Sequence, residues 1–120
     1  MTSRLNEETE LLNQKIREFE QLLIEMRLGV SAKLAMGDCF LGFGKFGKHW
    51  CLVIVHGEDS TPLVNASREA RVASVDYFEE LVKTLKENAA EATARVTAAR
   101  DKAEEVLRNM QKVSNESHEV

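Results

Sequence analysis

The run VDYFEELVKTLKENAAEATARVTAARDKAEEVLRNMQKV, from Val75 to Val113, decides how the chain is read. Its apolar positions are Val75, Phe78, Val82, Leu85, Ala89, Ala92, Val96, Ala99, Ala103, Val106, Met110 and Val113. The steps between them alternate three and four, the heptad period of a helix packed along a partner. No Gly or Pro interrupts the run. Ala, Glu, Lys and Arg fill most of the other positions, so propensity agrees with pattern.

The same spacing recurs near the start. Leu5, Leu12, Ile16, Phe19, Leu23 and Met26 predict a first helix over 4–28, with Ser3 or Asn6 as its N-cap and Gly29 as its C-cap. Leu11, Leu22, Ile24 and Leu28 lie off that seam, so more than one face of the helix is apolar. Val30 to Met36 reads equally as a strand or as a fraying helix end.

Between the helices the period changes to that of a sheet. Cys39–Phe43 and His49–Val55 are rich in aromatic and branched residues and are joined by Gly44-Lys45-Phe46-Gly47, which predicts a β-hairpin. A three-residue loop with a bulge at Gly47 places Cys51 opposite Leu41 and Cys39 opposite Val53, both sulfurs on one face. The second strand is apolar on both faces and is expected to be covered on both. Gly57–Ser60 is a turn, and Thr61–Val64 adds a short strand that Pro62, the only proline, confines to an edge. The meander spans 38–65. Helix resumes over 67–113, bending near 75, where Asp76 and Glu79 form a capping-box pattern. Residues 114–120 are expected to be a disordered tail.

The expected fold is therefore α+β and a single domain over 1–113. A long antiparallel helical hairpin or coiled coil holds a small hairpin or three-stranded meander between its helices. In that arrangement Met26 lies beside Phe78 and Leu5 beside about Ala99. The second helix then runs on with Ala103, Val106, Met110 and Val113 still in register, a stripe that calls for self-association or a helical partner. The topology is similar to that of a prefoldin β-type subunit, whose helical tentacles grow from a hairpin-built body. The resemblance implies a holdase chaperone.

Bulk properties narrow the function. A chain of 120 residues with net charge -4 and no basic block lacks the electrostatic footprint of a duplex-DNA or anionic-membrane binder. No apolar run approaches a membrane span, and the polar, acidic start lacks the pattern of a secretory signal. The expected location is the cytoplasm, with Cys39 and Cys51 reduced.

Motifs that carry chemistry are scarce. Leu41–His49 matches GxGxxG and looks like the glycine-rich loop of protein kinases. His49 stands where that loop continues with valine, the next strand has no lysine, and no HRD or DFG follows, so the glycines read as turn residues. His49, His56, Cys39, Cys51 and Asp38 make a sparse zinc set, but both cysteines sit in apolar runs as small hydrophobes. Trp50 reads as a core anchor, and Arg68 and Arg71 as partners for Glu58, Asp59 or Glu69. Neither a hydrolase triad nor a convergent acid–base pair can be assembled.

The expectation is a non-enzymatic protein–protein interaction module, an oligomeric scaffold, adaptor or small protein inhibitor without cofactor or metal. It assembles through Leu12, Ile16, Phe19, Leu23, Val96, Val106 and Met110. A prefoldin-like holdase is the first alternative. The second is a small nucleic-acid-associated protein using the hairpin tip at Lys45, Phe46, Lys48 and Trp50 with His49, although nucleic acid is not the expected partner.

Overall fold

The computed structural model describes residues 2–118. Helix α1 (Thr2–Met26) leads into four strands, β1 (Ala32–Met36), β2 (Cys39–Phe46), β3 (His49–His56) and β4 (Asp59–Pro62). A 3-10 turn over Leu63–Asn65 precedes α2 (Arg68–Ser74), a second 3-10 turn over Val75–Tyr77 follows, and α3 runs from Phe78 to His118. The chain is α+β, and its strands form one antiparallel sheet in sequential order. It divides into two compact units, one ending at Ala89 and one beginning at Ala90.

Three tight turns make the sheet. Met36 faces Cys39, Phe46 faces His49 and His56 faces Asp59, so each hairpin closes over two residues. The first of each pair is a glycine at positive φ: Gly37 at 66°, Gly47 at 69° and Gly57 at 63°. The second, Asp38, Lys48 or Glu58, is not at positive φ. That is the pattern of a type II′ turn, whose twist matches that of the strands it joins. The two-residue turn replaces the expected three-residue loop and shifts the register, so Leu41 faces Ile54 and Cys51 faces Gly44. Because side chains alternate, the shift turns one strand over relative to the other. Cys39 joins the core face and Cys51 the opposite face, so the two sulfurs do not share a side.

Val30–Met36, open between strand and helix end, becomes β1 from Ala32 onward. The strand expected over Thr61–Val64 is β4, on the sheet edge but two residues earlier, and with β1 it makes the sheet four-stranded instead of three-stranded. It ends at Pro62 opposite Val53, with Leu63–Asn65 in a 3-10 turn. Beyond that point Leu52 has no β4 residue to pair with, and its N–H instead donates to the Glu20 carboxylate at 2.8 Å.

The core lies on one face of the sheet. Leu41, Phe43, Leu52 and Ile54 meet Ile16 and Leu23 of α1, Leu63 after β4, and Leu81 and Leu85 of α3. Phe40, Val53 and Val55 of the other face belong to no part of this cluster, and Phe40 is 38% exposed. The expectation that β3 is covered on both sides is therefore corrected.

A helical hairpin or coiled coil is not shown. Phe78 stacks on Phe19, ring centroids 4.0 Å apart, rather than lying beside Met26. The fully buried residues of α3 are Leu81 and Leu85, and Leu81 lies off the predicted seam. The stripe of α1 packs into a core shared by the sheet and the first turns of α3, not along a second helix. Its N-terminal residue Leu5 stays 53% exposed.

Helix α1 stops two residues before its predicted end. Arg27 takes the left-handed conformation at φ 48°, and its N–H donates to the Ile24 carbonyl at 3.1 Å. Ser67 caps α2 by accepting the Ala70 N–H. The predicted bend near residue 75 is the 3-10 turn, and Asp76 lies within it instead of capping α3. Ser114–His118, expected to be disordered, continue α3, while Glu119 and Val120 lie outside the described residues.

Candidate functional site

The seven predicted seam residues divide into two groups. Ile16 and Leu23 are 0% and 3% exposed in the core, with Leu12 and Phe19 packed against them. They hold the body together and are not free to bind. Val96, Val106 and Met110, in the unit that begins at Ala90, are 68%, 44% and 64% exposed. Val113 at 63% and Leu107 at 56% extend the same surface. A helix of about 3.6 residues per turn places these side chains along one side, with Ala99 and Ala103 between them.

The residues of the hairpin tip are divided between the two sheet faces. Strand alternation puts Lys45 opposite Trp50 on the core face and Phe46 opposite His49 on the other, with Lys48 in the turn. Trp50 is half-buried and stacks on Phe43, centroids 5.6 Å apart. It is a packing residue, while Phe46 at 44% exposure stays accessible.

Chemistry-bearing side chains are dispersed. Among the described residues no three His, Cys, Asp or Glu side chains come together to hold a metal ion. His56 approaches Asp38 at 3.6 Å, both exposed, at one end of the sheet. Cys39 Sγ donates to the Met36 carbonyl at 3.2 Å, and both thiols are free. Burial, and after it the nearby Glu20 carboxylate, push the Cys51 thiol up. That favours the protonated form and works against a reactive nucleophile. Arg71 donates to the Asn13 side chain of α1, not to a carboxylate, and its Nε is buried with no hydrogen-bond partner.

Sequence reasoning missed two surfaces. A cavity of about 290 Å³ opens where α1 ends, walled by Leu23, Leu28, Val30, Phe43, Trp50 and Leu85, with Arg27 among its lining residues. On the open sheet face, Gly42 lies between Lys33 and Val53 in register and carries no side chain, so a shallow depression lined by Lys33, Gly42, Val53 and Val55 forms there. The signal for the open face was the ten-residue recurrence of Gly37, Gly47 and Gly57, which fixes the turns and the register, and the cavity had none.

The fold and these surfaces define a class, an α+β body with one sheet face open and a helical segment carrying an exposed apolar stripe. Compared with known proteins, the chain matches no protein-family model, no curated protein and no solved structure. Among the described residues no helix is long and apolar enough to cross a membrane.

Proposed function

We propose that the protein is a non-enzymatic interaction module, a scaffold, adaptor or small protein inhibitor that assembles through the coiled-coil seam of α3. The observation that supports this is the exposure of Val96, Val106, Met110 and Val113 at strict three-four spacing. An apolar stripe sustained over several turns is a surface that a second helix covers by knobs-into-holes packing. The alanines at Ala92, Ala99 and Ala103 let a partner backbone approach closely, and each contributes little buried area. The α1 residues of the expected seam take no part, because they pack in the body.

The test is solution mass by light scattering on the full chain, alone and mixed with a designed amphipathic helix bearing a leucine seam. The expected result is self-association or capture of that helix, lost in the double variant Val106→Asp, Met110→Asp. Trp50 fluorescence reports whether the body stays folded in the variant. A chain that remains monomeric and ignores the helix defeats the reading.

A further inference from the structure

The charges that border the α3 stripe identify its partner more closely, on the reading of that stripe as an assembly surface. With Val96, Ala103 and Met110 at one heptad position and Ala99, Val106 and Val113 at the other, the flanking positions are Arg95, Lys102 and Asn109 on one side. On the other they are Thr93, Arg100 and Leu107. Three of the six are cations and none is an acid. The acids of the same stretch, Asp101, Glu104 and Glu105, lie toward the face away from the stripe.

Among the described residues, the flanking cations pair with exposed neighbours on their own helix. Arg95 approaches Glu91 at 3.5 Å, Arg100 approaches Asp101 at 3.7 Å and Glu104 at 4.0 Å, and Lys102 approaches Glu105 at 3.7 Å. Every side chain in these pairs is more than half exposed, so the pairs contribute little and do not fix the cations in place.

A second copy of this helix is a poor cover. In a parallel pair the flanking Arg95 of one copy meets Arg100 of the other. In an antiparallel pair like flanks face one another, and Arg95 and Lys102 meet only cations or Asn109. Like charges across a seam disfavour pairing and set partner choice. We infer that the stripe from Ala92 to Val113 docks an amphipathic helix of a different protein, one whose apolar seam is bordered by Asp or Glu.

Two synthetic helices with the same leucine–alanine seam test this, one with Glu and one with Lys at the flanking positions. Each is titrated with the full chain by fluorescence anisotropy, beside light scattering of the chain alone. The expected result is a monomeric chain that binds the Glu-flanked helix and discriminates against the Lys-flanked one. Affinity falls about tenfold or more between low and high salt, as screened charge pairs do. The triple variant Arg95→Glu, Arg100→Glu, Lys102→Glu reverses the preference, and Met110→Asp abolishes binding to both. A chain that dimerises through the stripe, or that binds both helices alike, overturns the inference and leaves the interaction reading standing. A monomer that binds neither overturns both.

Discussion

The carboxylate of Glu20 on α1 accepts the backbone N–H of Leu52 on β3 at 2.8 Å, closing the stretch of strand edge that β4 does not reach. Removing the acceptor leaves a donor unsatisfied beside the fully buried Leu52 side chain. Glu20→Ala is expected to lower stability by about 1–3 kcal/mol, and Glu20→Gln by less, because its amide oxygen still accepts. Urea denaturation followed by Trp50 fluorescence measures both, and equal losses would show that charge rather than the hydrogen bond matters.

Phe19 and Phe78 stack with 12° between their rings and tie α1 to the start of α3. Phe78→Ala is expected to cost about 3 kcal/mol. A double-mutant cycle with Phe19→Ala should return a coupling of about 1 kcal/mol. Additive losses would mean that each ring packs independently.

Arg27 holds a left-handed backbone conformation at the position after α1 where glycine is preferred. Arg27→Gly is expected to stabilise the fold by about 1 kcal/mol by removing the Cβ conflict. A lower urea midpoint in the variant would show that the arginine side chain contributes more than its backbone costs.

Gly47 is at φ 69° in the turn between β2 and β3, with nothing near the position a Cβ would take. The cost of Gly47→Ala is therefore that of the local backbone conformation, about 1–2 kcal/mol, with no clash against neighbouring elements. Gly37→Ala and Gly57→Ala should behave alike, since their surroundings are as open. Equilibrium unfolding of the three variants checks the common turn type.

The Cys51 thiol is pushed up by burial and by Glu20, so folding favours its protonated form. The contribution is fully present below the ordinary thiol pKa and is lost as pH rises through it and through the higher folded value. Wild type should therefore lose stability between about pH 8 and pH 10 relative to Cys51→Ala. Alkylation of Cys51 should accelerate in Glu20→Gln. A flat difference between wild type and Cys51→Ala across that range would refute the shift.

Much of the fold was legible because it is local. The aromatic and branched run His49–Val55, the glycine at the hairpin turn, an edge strand at Pro62 and the helical break near residue 75 all follow from short-range chemistry. The three-residue loop was the costly error. It displaced the register and so misplaced Cys51, which the glycines at ten-residue spacing would have corrected.

The candidate surface was legible only in part. Val96, Val106 and Met110 are exposed in register, whereas Leu12, Ile16, Phe19 and Leu23 carry the same periodicity and are core. Period identifies an apolar side of a helix and says nothing of what covers it.

By itself the sequence determined the first helix, the β2–β3 hairpin, the edge strand and the uninterrupted helix through Val113, since propensity and glycine conformation act over a few residues, while Val30–Met36 stayed open. Only the tertiary structure decided that the apolar stripe of α1 is buried in the core beneath the sheet, and that one sheet face stays open. Those outcomes depend on which apolar surfaces bury the most area together, a competition among distant segments that no single stretch encodes.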